Sequence, residues 1–266
     1  MAIDEGDETM SASELGGMPS VKDAVSEEEW AQRVDLAALY RLVALHGWDD
    51  FLFTHLSARV PGPEHHFLIN PFGMLFEEVT ASSLVKVDVE GNKVMDSPYD
   101  VNPAGFTIHS AVHMAREDAM CVMHLHTDDG VAVSAMAEVL MPLTQHAMQC
   151  GEIAYHDYEG VALDLDERER IVRDLGDAQF MLLRNHGTLT VGPSCASAFM
   201  AMYYLERACT MQVRALAGGA TPNQPPQGSA EKAAEQSKLL FDGTADALTW
   251  PAWQRKLDAV DPSFRH

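Results

Sequence analysis

Two histidines one residue apart inside an apolar run, Cys121-Val122-Met123-His124-Leu125-His126-Thr127, constrain this chain more than any other stretch. Apolar and β-branched residues over that length predict a strand, and in a strand residues i and i+2 point to the same face. His124 and His126 therefore share a face, about 7 Å apart along the backbone. Such a pair either makes hydrogen bonds in the interior or binds one metal ion together, and the pair alone leaves both readings open. A third histidine lies in Arg184-Asn185-His186-Gly187, directly after the apolar run Phe180–Leu183. A turn at a strand end lets a site residue protrude. If His186 converges on the pair, three imidazoles leave one coordination position open, as a catalytic metal requires.

The rest of the chain must build a scaffold around that strand. Its 266 residues, 47 % of them hydrophobic, suffice for one large domain or two small ones. No apolar run approaches the roughly 18 residues of a membrane span. The acidic start has no basic segment followed by an apolar one, so no secretory signal is read and a cytoplasmic location is expected. Net charge is −22, from 40 acidic and 18 basic residues. That surface repels nucleic acid and anionic lipid, so neither is an expected partner. The four cysteines form no CxxC pair and suggest no disulfide framework.

Residues 1–25 read as a disordered acidic tail. Ser26-Glu27-Glu28-Glu29 is a capping box opening a helix over 27–46, which Gly47 ends. Short strands are predicted at Phe51–Phe53, Leu56–Val60, Phe67–Ile69 and Leu84–Val89, the last turning at Glu90-Gly91-Asn92. A helix over 104–116 precedes the His-X-His strand, and another follows at 128–138. Residues 139–164 read as loop and short strand. A charged helix at 166–175, strands at 180–183 and 188–191, and a long helix over 195–216 complete a domain spanning 26–218. A linker at 219–229 and a helical extension at 230–266, expected to pack on a neighbouring subunit, follow. Among the twelve histidines, His109 and His113 also share a helix face, but no third ligand lies near them in sequence. His65-His66 beside Pro61-Gly62-Pro63 reads as exposed.

Five segments, taken in order, resemble the class II aldolase and adducin head-domain family, in its adducin-like bacterial-type branch. They are Thr54-His55-Leu56-Ser57-Ala58-Arg59, Ile69-Asn70-Pro71-Phe72-Gly73, Phe106-Thr107-Ile108-His109, then His124-Leu125-His126 fifteen positions on, and Asn185-His186-Gly187. The similarity runs from about Trp30 to Gly218. The resemblance implies an α/β fold, a three-layer αβα arrangement around a mainly antiparallel sheet, and a homotetramer with active sites between neighbouring subunits. It makes His124, His126 and His186 the metal ligands, with zinc expected first and manganese, iron or cobalt also suited to imidazole. Asn70, Gly73, His55 and Ser57 become the expected substrate contacts.

The chain departs from that pattern where the family places its acid/base glutamate, because this position falls on Gly105. The serines that help hold a substrate phosphate fall on Pro103 and Ala104, and the first phosphate loop's Gly-Asn reads Thr54-His55. Glycine transfers no proton, and Pro or Ala offers an anion no hydroxyl. An altered substrate is therefore expected. The leading expectation is a metal-dependent lyase, by decarboxylation or retro-aldol cleavage of a hydroxy acid or hydroxy-carbonyl compound. Its catalytic acid/base is not identified, and His146, Glu152, Tyr155 and His156 are the candidates. Two other expectations are a non-enzymatic adducin-like oligomerisation module and an Fe(II)-dependent oxygenase on the same scaffold.

Overall fold

The structure is a computed structural model that describes residues 19–138, 140–160, 166–219, 221–241 and 243–266. Most of the tail expected to be disordered, residues 1–18, lies outside the described residues. Helix α1 (Glu27–His46) begins where the Ser26 hydroxyl accepts the Glu29 N–H, and ends where Gly47 takes the left-handed conformation at φ +64°. Its apolar stripe, including Leu36, Leu39, Tyr40 and Val43, is fully buried. Glu29 on the same helix pairs with Arg33 at 3.0 Å and Lys86 at 2.7 Å. Arg33 also donates to the carbonyls of Ala81 and Leu84, so a buried charge is both paired and hydrogen-bonded.

Among the described residues seven strands form one sheet: β1 (His55–Arg59), β2 (Phe67–Ile69), β3 (Val85–Val87), β4 (Cys121–Leu125), β5 (Ile153–His156), β6 (Phe180–Leu183) and β7 (Gly187–Gly192). Their order is β3-β2-β1-β4-β7-β6-β5. Every pairing is antiparallel except β5 with β6. The remaining helices are α2 (Pro103–Ala115), α3 (Asp128–Ser134), α4 (Gln145–Cys150), α5 (Glu167–Leu175), α6 (Cys195–Leu216), α7 (Ser229–Phe241) and α8 (Thr244–Val260). Helices cover both faces, which makes the three layers expected.

Strand β4 sits at the centre, and its side chains divide by parity. Cys121, Met123 and Leu125 enter a core with α1 and α6. Val122 faces the other way, into a core shared with α2 and α5. His124 stands on the Val122 face, at the edge of that second core. In β1 the same parity sends Leu56 and Ala58 toward α1 and leaves His55 and Ser57 on the histidine side.

Three local expectations fail. Phe51–Phe53 is a turn, with Phe51 at φ +53° and both phenylalanines exposed. The helix expected over 128–138 stops at Ser134. Residues 145–150 form a helix inside the stretch read as loop and strand, capped where Thr144 accepts the Ala147 N–H. That Thr cap was a legible signal, but one and a half turns give too little periodicity to register. The C-terminal helices pack on the chain's own body: Trp250, Leu257 and Phe264 join the core of α1 and α6. Trp250 and Gln254 both donate to Asp35 of α1.

Candidate metal centre

The turn between β6 and β7 explains its own sequence. Asn185 adopts φ +57°, a conformation asparagine tolerates better than most residues. The His186 N–H returns to the Leu183 carbonyl at 3.1 Å, which closes the turn and throws the imidazole outward. Gly187 has no alternative, since a Cβ there would stand 2.3 Å from the Leu125 carbonyl oxygen. Only glycine lets β7 begin against the end of β4. The turn thus brings His186 beside His124 and His126.

The three rings lie 4.7–4.8 Å apart between centroids. Their nearest ligand atoms all fall within 4.8 Å of one another. Tautomers follow from the partners. Nδ1 of His124 lies 3.0 Å from the Thr188 carbonyl, and Nδ1 of His126 lies 3.0 Å from Oδ2 of Asp50. Both partners only accept, so both Nδ1 atoms carry hydrogen and both Nε2 atoms are lone pairs. Those two Nε2 atoms face each other at 3.0 Å. Two lone pairs at that distance repel unless a proton or a metal cation lies between them. Nitrogens at 2.0–2.1 Å from a tetrahedral zinc stand about 3.3 Å apart, so His124 and His126 fit such an ion, with His186 near enough to join them. Burial first, then the neighbouring imidazoles, hold His124 far below its ordinary pKa and His186 down to about 4. Both rings are thereby kept neutral, the form that ligates metal.

His126 and His186 border an open cleft of about 560 Å³, lined also by Asp50, Asp128, Val131, Tyr158 and Asn185, with His124 buried behind them. Among the described residues no lysine or arginine lines it. Asp50 and Asp128 give the cleft a negative rim that favours a cation and disfavours a phosphate dianion. Asp50 and Tyr158, whose ring lies 6.1 Å from that of His186, were not foreseen. Neither sits in a motif, and only the folded chain brings them there.

The other expected site residues are placed elsewhere. His55 is buried directly across the sheet from His124. A Cβ on Gly105 would meet its ring at 2.4 Å, so the imidazole of His55 occupies the volume that a larger side chain at Gly105 would need. Burial, then His126, holds His55 down to about 4. Ser57 is saturated inside the protein, 2.6 Å from Nδ1 of His109 and 2.7 Å from Nε2 of His113. Asn70 bonds to the buried Tyr40 hydroxyl at 3.0 Å, and Gly73 is exposed at φ +107°. His146 packs on Tyr204, Glu152 borders a separate cleft by α4 and α7, and Tyr155 lies under Arg184. His156 is held between Asp174 at 2.7 Å and Glu167 at 3.4 Å. None of these four lines the histidine cleft.

A mixed seven-stranded sheet lies between helical layers, and three histidines stand at the ends of its adjacent central strands. The family model of the Class II Aldolase and Adducin N-terminal domain matches residues 34–213, and the chain belongs to that family. A Caulobacter vibrioides protein, named provisionally as an aldolase class 2 protein, is 59 % identical over 94 % of this chain and 98 % of its own length. Alpha-adducin of Rattus norvegicus is 40 % identical over 93 % of this chain, which spans 34 % of that protein. The crystal structure of an aldolase II superfamily protein from Pseudomonas syringae superposes with a TM-score of 0.89 at 51 % identity, covering 92 % of this chain and 99 % of that one. L-fuculose 1-phosphate aldolase from Glaciozyma antarctica superposes at 0.75 with 28 % identity, covering 97 % and 100 %.

Proposed function

We propose that the chain is a metal-dependent carbon–carbon lyase, with one divalent ion, zinc first, held by His124, His126 and His186. The observation that carries this reading is the pair of Nε2 atoms facing each other at 3.0 Å while both Nδ1 atoms are committed to acceptors. A scaffold that only binds partners has no need of such a pair. The ion would supply Lewis acidity, polarising a substrate oxygen. Asp50 and the Thr188 carbonyl fix the orientation of two of the three rings. The acidic rim, with no lysine or arginine among the described residues that line the cleft, speaks against a sugar phosphate. With Gly105 in place and His55 filling the space beside it, no carboxyl group can enter there.

Decarboxylation of a hydroxy acid meets these conditions better than retro-aldol cleavage. The bond to the carboxylate breaks, carbon dioxide leaves, and the electron pair remains on carbon until a proton arrives. No base is needed to start it. The reading includes a homotetramer acting on a small molecule in the cytoplasm. The exposed Phe51 and Phe53, beside Asp50, suit cover by a second copy.

A panel of hydroxyaryl carboxylates and hydroxy-ketones, assayed with and without oxygen on protein of measured metal content, tests the reading. Metal-dependent, oxygen-independent release of carbon dioxide is expected. Oxygen-dependent turnover would instead assign an iron oxygenase. One observation favours a second reading, an adducin-like assembly module: the 40 % identity to alpha-adducin. Protein purified without metal that takes up none when offered it would decide for that module.

A further inference from the structure

Glu206 is a buried carboxylate that the chemistry above does not use. It lies in the middle of α6, 2 % exposed. Among the described residues its hydrogen-bond partners are two hydroxyls, and no lysine or arginine pairs with it. Burial pushes its pKa up to about 7, against the lowering effect of the Thr127 and Thr188 hydroxyls, and Asp129 of α3 raises it further. An uncompensated buried carboxylate is costly to a fold, and an apolar residue would serve the core better.

The two hydroxyls explain its position. Thr127 follows His126 directly and caps α3, where its Oγ1 accepts the Gly130 N–H at 3.1 Å. Its own hydrogen is therefore committed to Oε2 of Glu206. Thr188 lies two residues beyond His186, and its hydroxyl is 2.7 Å from Oε1. The carbonyl of the same Thr188 is the acceptor that fixes His124. One carboxylate thus ties the end of β4 to the start of β7, and every histidine of the centre lies within two residues of that tie or hydrogen-bonds to it. The packing leaves no slack. A Cβ on Gly130 would stand 2.6 Å from Thr127 Oγ1, 2.8 Å from Thr188 Cγ2 and 3.1 Å from Glu206 Oε1.

We infer that Glu206 is a positioning residue for the histidine centre, a buried anion that holds the two strand ends in register and is itself stabilised by the cation the histidines bind. The inference rests on the metal-binding reading above. It is a claim about affinity and coordination geometry rather than turnover.

Metal-stripped full-length protein, titrated with Zn²⁺ and with Co²⁺, tests it. Glu206→Gln keeps the shape and removes the charge. Metal affinity is expected to fall by about 10- to 100-fold, the usual consequence of removing a group that orients a ligand. The Co²⁺ absorption spectrum at saturation is expected to shift, while the metal-free variant melts no lower than the parent. A purely structural role would lower the melting temperature and leave the Co²⁺ spectrum of the folded protein unchanged, and that result overturns the inference. So does an unchanged affinity in folded Glu206→Gln. Should Glu206→Gln not fold, Thr188→Val decides by the same readouts, because it removes the hydroxyl and keeps the carbonyl that holds His124. A parent chain that takes up neither metal overturns the metal reading itself. A parent that binds while the folded variant binds equally well overturns only the role of Glu206.

Discussion

Gly105 and His55 form a steric pair, and the pair decides what chemistry the site can host. A methyl group on Gly105 would enter the His55 ring, with the Cβ 2.4 Å from it. Gly105→Ala is expected to cost about 1–3 kcal/mol, the range for overpacking a filled interior. His55→Ala should relieve that clash, so the double variant is expected to be more stable than the two single losses add up to. Urea unfolding of the four proteins measures the coupling, and additive losses would refute it. At the centre itself, His124→Ala and His186→Ala are each expected to abolish stoichiometric metal retention while the chain stays folded. Elemental analysis after dialysis checks this, and metal that survives either change would mean the ligands are misassigned. The three ligands were legible because strand parity and an Asn-His-Gly turn carry geometric meaning in sequence. Their orienting partners were not, since Asp50 lies 76 residues from His126 and nothing local links them. His109 and His113 were legible as a pair on one helix face, but not their purpose. Ser57 joins them, and the Ala119 carbonyl fixes the tautomer of His113 at 2.9 Å. They form an interior hydrogen-bond chain rather than a metal site.

Among the elements, α8 has the least expected placement. A glycine- and proline-rich stretch precedes α7 and α8, so the sequence suggests a detached extension, yet one face of α8 packs onto α1 and α6. Trp250 and Leu257 are buried there. Asp246 accepts the Ser194 hydroxyl that begins α6, at 2.8 Å. Leu257→Ala is expected to cost about 2–5 kcal/mol, as for a filled core position. A helix merely resting on the surface would lose well under that, so chemical denaturation separates the two cases. Other elements were readable to within a residue or two. Helix α1 carries its own cap, its own stop and an apolar stripe, β4 carries an apolar run interrupted only by His124, and β6 carries an unbroken one. The misread elements lacked such redundancy. Phe51–Phe53 is apolar like a strand but pairs with none, because the chain turns there and brings Asp50 against His126. Tertiary need overrode local pattern at that point.

For the molecule as a whole, the cost of keeping many imidazoles neutral in the interior sets its response to acid. Burial holds His55 and His186 down to about 4 and His113 down to about 3. His109 and His124 are displaced in the same direction by the same cause. In the unfolded chain these rings titrate near their ordinary value of about 6.5. As pH falls through 6.5 toward 4, the unfolded state therefore takes up protons that the folded state refuses, and stability falls with them. For the fully buried His113 the slope approaches about 1.4 kcal/mol per pH unit. Glu206 acts in the opposite sense. Its folded pKa is raised to about 7, so between the ordinary carboxylate range and neutrality the folded state holds a proton the unfolded state has released. That single group gains stability on acidification while five histidines lose it, and the histidines win. Bound metal steepens the loss, because protons compete for the same nitrogens and the stabilisation from a ligand vanishes with its occupancy. Unfolding midpoints measured from pH 7.5 down to 4.5 are therefore expected to fall steadily, with a larger drop for metal-loaded than for metal-stripped protein. A midpoint that holds constant or rises toward pH 5 would mean that the buried imidazoles are not held neutral in the folded state.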